Sequence, residues 1–275
     1  MTGEGRILGI QVSKTMDVGC NVVYKREKIL KLLNNLEFHV PSPKMWRATL
    51  FIIREIFKKQ RYQKTGFEIK QTDTIIDIGA HMGLFVMWIA PQTSKGKIIA
   101  VEPTKNINVL NTNLAKNNIK NVKTIKAAVG LDGSYIELVT YPNFNVINHQ
   151  TSQKPTFLTQ MIFYLLSGQW RWERNIEKVP TISLGKIIDD AGLKQVDFLK
   201  IDCEGCEFDI FRNLSDEYFN RIEKIVMEFH EYHPSNKYEE LVSILENKGY
   251  NVIIEKPLID YYLVGKCGFI WARRD

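Results

Sequence analysis

The sequence predicts a doubly wound α/β fold, on three observations. From Gln71 onward, apolar runs of strand length alternate with segments of helical periodicity, the rhythm of parallel strands joined by crossover helices. Within TIIDIGAHMG at 74–83, a strand that is β-branched or apolar except for Asp77 turns through Gly79 and Gly83 straight into helix-forming residues 84–90, stopped by Pro91. Further acids close later strands, at Glu102, Asp202 and Glu228, where the carboxyl ends of neighbouring strands line the ligand crevice of an open α/β sheet.

Taken in order, residues 1–20 are dotted with glycine and lack periodicity, so loose order is expected there. In 24–39, Ile29, Leu32, Leu33 and Leu36 recur at helical spacing between lysines, which predicts an amphipathic helix ended at Val40-Pro41. Ser42 then reads as an N-cap and Pro43 as the first position of a second helix to about residue 64, with Trp46, Leu50, Ile53 and Phe57 on its apolar face. Residues 1–70 are therefore expected to form a helical cap on a domain spanning 71–275. In that domain, strands are expected at 74–78, 97–101, 122–128, 135–141, 179–182, 196–201, 224–229, 251–254 and 267–272. Helices are expected at 84–90, 105–117, 184–191, from about 207 to 213, and at 238–247. Residues 142–178 break the rhythm: a polar start leads into apolar 157–166 and then Trp170 and Trp172. A long insertion of this kind is read as a lid or acceptor-pocket wall, or alternatively as the interface of a homodimer.

At 275 residues, 44% apolar and 25% charged, the composition is that of a soluble globular protein. No apolar run reaches a transmembrane length and no signal-peptide core is visible, so a cytoplasmic location is expected. Cys20, Cys203, Cys206 and Cys267 make no disulfide framework. Cys203-x-x-Cys206 lacks the second ligand pair that a structural zinc site needs, and both cysteines read as small apolar fillers. The charge is uneven: residues 1–70 hold 14 Lys and Arg against 6 Asp and Glu, and the remainder holds 23 against 25. A basic end can address nucleic acid or anionic surfaces, but is more commonly a solvated face.

The first loop indicates the ligand. A dinucleotide site needs a second glycine for close approach of a pyrophosphate, and here that position is His81 in Asp77-x-Gly79-x-x-x-Gly83. An acid at the strand end repels phosphate and attracts ammonium, which suits S-adenosylmethionine. Glu102, about twenty residues on, is placed to accept from both ribose hydroxyls. Two later strand ends carry polar groups that share faces: Lys200 with Asp202, followed by Glu204, and Glu228 with His230.

With these motifs in view, the chain resembles the FkbM family of S-adenosylmethionine-dependent methyltransferases. DTIIDIGAHMG at 73–83, IIAVEP at 98–103, AAVG at 127–130 and DFLKIDCEGCE at 197–207, followed by MEFH at 227–230, carry the resemblance. It implies a Rossmann-like class I methyltransferase sheet of seven strands with one antiparallel strand. It also implies methyl transfer to a hydroxyl of a sugar, glycan or polyketide-type acceptor. The cofactor is expected on Asp77, Gly79, Ala80, His81 and Gly83, with Glu102 and Pro103 at the ribose, Ala128 and Val129 at the adenine, and Asp202 near the methyl group. His81 departs from the family's usual Asn.

A hydroxyl needs a base during attack or a metal to acidify it. Asp202 and His230 are the candidate bases, with Glu204 and Glu228 orienting them. An ion pair of Lys200 with Asp202 or Glu228 is expected to weaken that acid as a base and leave His230 as the better one. A divalent cation on Asp202, Glu228 and His230 is an alternative but is not expected. Three rival functions remain. The first is an RNA ribose 2′-O-methyltransferase, using the basic end with Trp46 and Tyr62 for stacking, although nucleic acid is not the expected partner. The others are an NAD-dependent oxidoreductase, disfavoured by His81, and a non-catalytic S-adenosylmethionine-binding protein.

Overall fold

Strand β5 (Thr74–Ile78) sits at the centre of the chain's main sheet because its side chains are buried on both faces, from Ile75 to Ile78. The computed structural model describes residues 5–7, 10–13, 28–32, 34–42, 45–140, 149–150, 175–257 and 266–274. Around β5 lie β6 (Lys97–Val101), β7 (Val122–Ile125), β12 (Val196–Ile201), β13 (Ile222–His230), β14 (Asn251–Glu255) and β15 (Cys267–Arg273). Their order is β14-β15-β13-β12-β5-β6-β7. Only β15 runs antiparallel to its neighbours in this sheet, which is the seven-stranded arrangement the resemblance implies.

Alternation along each strand divides the core in two. Ile75, Ile98, Phe198 and Val226 face one layer, which includes α2 (Leu84–Ile89). Ile76, Ile99, Leu199 and Ile225 face the other, with α4 (Leu184–Asp190), α5 (Glu207–Asn213), α6 (Asp216–Phe219) and α7 (Tyr238–Asn247). Helix α3 (Asn106–Lys116) packs on the first layer through Leu110 and Leu114. The short α6 is not apparent from the sequence pattern.

The expected strand at 122–128 is two elements. It leaves the main sheet after Ile125, and Ala128–Val129 (β8) pairs in parallel with Thr181 and Ile182 of β11 (Asn175–Ile182). Together with β9 (Tyr135–Thr140) and β10 (His149–Gln150) these make a second sheet of order β10-β9-β11-β8. An apolar run shows that a strand forms but not which sheet it joins. Most of the 142–178 insertion, with the apolar run 157–166, Trp170 and Trp172, lies outside the described residues.

The expected amphipathic helix at 24–39 is instead a hairpin of β3 (Lys28–Lys31) and β4 (Glu37–Val40). It belongs to an antiparallel sheet with β1 (Gly5–Ile7) and β2 (Ile10–Ser13). Burial alternates along β3, where Leu30 and Leu32 are buried, while β4 buries Phe38, His39 and Val40 in a row. Asn34 and Asn35, the latter at φ +67°, supply the turn. The edge of β4 is covered by α3: Asn113 Oδ1 accepts from His39 N at 2.7 Å, and Asn117 bonds both N–H and C=O of Glu37. Those long-range amide partners outweigh the helical spacing of four leucine-type residues. The second helix forms but starts later and is shorter than expected: α1 (Trp46–Ile53), with Met45 rather than Ser42 at its N-cap, runs into a π-helical turn at Arg54–Lys58. No helix among the described residues is long and apolar enough to cross a membrane.

Phe38 is fully buried in the core it shares with Phe85 and Phe198. Phe38→Ala should therefore destabilise the whole chain by about 3 to 5 kcal/mol in denaturant titration. A loss below about 1 kcal/mol would mean that the hairpin is a detachable arm.

Candidate active site

The loop after β5 closes tightly because its residues take conformations and contacts that larger side chains refuse. Gly79 has φ +77°, and a Cβ there would meet the Asp202 carbonyl oxygen at 1.8 Å. That contact sets how closely the ends of β5 and β12 approach. The Gly79 and Ala80 N–H groups both donate to Val101 O at 3.0 Å. His81 stands at φ +51°, a region in which Asn and His are among the commoner non-glycine residues; the departure from Asn thus keeps the backbone geometry. Its N–H donates to Glu102 Oε2 at 2.9 Å. Gly83, at φ +91°, leads into α2 where a Cβ would strike Leu110.

Glu102 is 5% exposed and also accepts from Thr104 N at 3.0 Å and from the Thr104 hydroxyl. A carboxylate has about four lone-pair sites, so one remains for a ligand hydroxyl. Pro103 beside it is half-buried. Glu102 N bonds Ile125 O at the end of β7, and the buried Ala128 and Val129 follow directly in β8.

Lys200 occupies the middle of this arrangement at 3% exposure. Its Nζ lies 3.0 Å from Asp77 Oδ1, 3.1 Å from Gly79 O and 3.8 Å from Asp202 Oδ2. Burial acts to lower its pKa, but Asp77 and Asp202 more than offset this and hold it raised and charged. The pairing expected with Asp202 or Glu228 is thus made first with Asp77. Asp77 Oδ2, fully buried, has no hydrogen-bond partner among the described residues. Tyr62, 6% exposed, donates to Asp202 Oδ2 at 3.3 Å and packs edge-on against Phe85 and Phe269. Its ring is therefore unavailable for stacking on a base.

Beyond Asp202 a second group assembles from β12, α5 and β13. Glu207, fully buried, has Oε1 3.1 Å from His230 Nδ1. Glu204 Oε2 accepts from Tyr232 Oη at 2.6 Å and lies 3.7 Å from His230 Nε2. Burial acts to lower the His230 pKa, yet Glu204 and Glu207 raise it well above its ordinary value. His230 therefore holds its proton more tightly than a free imidazole, which weakens it in the base role expected from sequence. Burial, reinforced by Asp202, pushes Glu204 up to about 7 despite His230, and pushes Glu228 up to about 8.

Among the described residues, the donor atoms of Asp202, Glu204 and His230 lie within 4.8 Å of one another, so Glu204 takes the place expected of Glu228 in a cation set. A cation there would have to displace the His230 proton. From sequence, Tyr62 stands out only as a stacking residue and Glu207 only as part of the polar turn after Asp202, and Tyr232 does not stand out at all. Glu207 was legible as the last acid of CEGCE, whereas Tyr62 stands 140 residues from Asp202 with no local signal. Cys203 and Cys206, read as apolar fillers, are joined in a disulfide.

A family model described as the methyltransferase FkbM domain matches residues 77–252, more than half of the chain. The chain belongs to the FkbM methyltransferase family. It is 25% identical over 214 residues to Methyltransferase 1 of Beauveria bassiana, covering 75% of this chain and 83% of that protein. It is 23% identical over 221 residues to the 31-O-demethyl-FK506 methyltransferase FkbM of Streptomyces tacrolimicus, covering 75% and 83%. A solved methyltransferase FkbM from Methylobacillus flagellatus is 15% identical, with a TM-score of 0.49, over 77% of this chain and 46% of that one. The FkbM match begins at Asp77, so Tyr62 and the hairpin precede the shared domain.

The raised Glu228 pKa carries a stability consequence. Its folded value of about 8 exceeds the ordinary 4.5, so its contribution is complete below about 4.5 and is lost as pH rises through 8. Between pH 5 and pH 9 the wild-type melting temperature should fall more than that of Glu228→Gln, whose amide cannot ionise. Equal pH dependence in the two proteins would contradict the shift.

Proposed function

We propose that this FkbM-family chain transfers a methyl group from S-adenosylmethionine to a hydroxyl of a small organic acceptor of the sugar, glycan or polyketide type. The observation that carries the reading is a glycine loop fastened to Glu102, together with a separate group of perturbed acids at the ends of β12 and β13. The residues fit the cofactor. The unpartnered Asp77 oxygen suits an ammonium group, and the one remaining acceptor site of Glu102 suits a single ribose hydroxyl. Nothing in the loop offers a cradle to a pyrophosphate, which counts against a dinucleotide. A relative whose name specifies O-demethyl-FK506 as its substrate supports a hydroxyl acceptor.

S-adenosylmethionine, when bound, supplies an electrophilic methyl group. The chain's own residues then have to position an oxygen in line and take its proton. Glu204 is the base: a carboxyl with a pKa of about 7 is half ionised near neutrality and strong enough to accept a hydroxyl proton as attack proceeds. Tyr232 Oη and the His230 ring flank it and fix its orientation. Asp202, bonded by Tyr62 and facing Lys200, stays on the cofactor side.

Incubation with methyl-labelled S-adenosylmethionine and a panel of hydroxyl acceptors should yield an O-methylated product. Glu204→Gln should lower its formation by a factor of about 10² to 10⁴ and abolish an activity rise centred near pH 7, leaving cofactor affinity intact. Glu102→Ala should weaken S-adenosylmethionine binding by about 1 to 3 kcal/mol in calorimetry. Wild-type turnover in the first variant removes Glu204 as base, and unchanged affinity in the second removes the cofactor assignment.

A further inference from the structure

Residues 203–206, Cys-Glu-Gly-Cys, form a ring closed by the Cys203–Cys206 disulfide, with the two Cα atoms 5.5 Å apart. The ring encloses Glu204. That residue stands at φ +56° and Gly205 at φ +106°, and a non-glycine side chain rarely holds the first of these without surrounding constraint. Three groups of the ring converge on one oxygen, Glu207 Oε1. The Cys203 and Gly205 N–H groups donate to it at 3.3 Å each, and Cys203 Sγ lies 3.6 Å away. The same oxygen faces His230 Nδ1 at 3.1 Å. The covalent link and the orientation of the acid group are therefore one mechanical unit. Cys203 is half-buried while Cys206 is 6% exposed, so Cys203 is the more accessible residue of the pair. A vicinal pair on a ligand-facing turn, in a chain otherwise without disulfides among the described residues, is a pattern of exchange rather than of a structural staple.

We propose that Cys203 and Cys206 form a thiol–disulfide exchange site for low-molecular-weight thiols of the glutathione class, whose redox state sets the position of Glu204. In the reducing direction an external thiolate attacks Cys203 Sγ and forms a mixed disulfide. The Cys203–Cys206 bond breaks, and Cys206 leaves as a thiolate that takes up a proton. A second external thiol then attacks the mixed disulfide, releasing the Cys203 thiol and an external disulfide. Two electrons and two protons pass to the protein, and two external thiols are oxidised. In the dithiol form Glu204 is free to leave the left-handed region and its contacts with Tyr232 and His230. Reduction is thus a brake on the reaction and oxidation restores it. The effect on turnover rests on the reading of Glu204 as base; the exchange itself does not.

The test equilibrates the full chain, under native conditions, across ratios of reduced to oxidised glutathione. Free thiols are then trapped by alkylation and located by mass. The peptide containing Cys203 and Cys206 should pass reversibly between no label and two labels, and Cys206→Ser should carry a single glutathione on Cys203. In parallel, amide hydrogen exchange of wild type at residues 202–208 should be faster by about tenfold or more in the dithiol form, with α7 unchanged. A disulfide that opens only after denaturation, a dithiol that never closes, or equal amide exchange in the two forms would each overturn the proposal. S-adenosylmethionine binding, measured on the same samples, separates the two readings: its absence in both forms rejects the methyl-transfer reading and the brake with it, while the thiol counts still decide the exchange site.

Discussion

The site depends on a buried cation. Lys200, in the middle of a parallel sheet, has lost nearly all of its water, and an ammonium in that position persists only where fixed charges and dipoles replace the solvent. Asp77 on the neighbouring strand, the Gly79 carbonyl in the loop and Asp202 two residues on supply that replacement. The rings of Tyr62 and Phe85 lie 5.6 and 5.8 Å from Nζ and close the apolar side. One charge therefore ties β5, the loop that follows it and the end of β12 together. The Gly79 backbone against the Asp202 carbonyl gives the same junction its steric limit.

From that junction the acids divide by environment. Asp202 lies beside the lysine and accepts from Tyr62, whereas Glu204 and Glu228 meet burial and neighbouring carboxylates that disfavour their ionised forms. His230 lies between Glu204 and Glu207, and both acids raise its pKa against the effect of burial. Burial and neighbouring charge thus raise the pKa values of Glu204, Glu228 and His230 together at the ends of β12 and β13.

Much of this was legible in the chain because strand ends and glycine loops obey short-range rules. TIIDIGAHMG specified a strand, a tight turn and a helix start from ten consecutive residues, and Glu102 followed at the distance that one βαβ unit sets. What was missed depends on contacts far apart in sequence. The 28–40 hairpin forms because Asn113 and Asn117, more than seventy residues away, bond its edge. Tyr62 reaches Asp202 only after the N-terminal segment packs on α2 and β15. The role of His230 could not be read from its own strand, because Glu207 reaches it from the start of α5. The cysteine pair was set aside by counting zinc ligands, and that count does not bear on a bond between two residues within one turn.

The Lys200–Asp77 pair is expected to hold the loop after β5 against β12. A double-mutant cycle on Lys200→Met and Asp77→Asn, read by denaturant unfolding, tests it directly. Each single change should cost about 3 to 5 kcal/mol by leaving a buried group uncompensated, and the double variant should cost clearly less than their sum. Costs that add to within about 0.5 kcal/mol would show that the two residues act independently and would contradict the claim.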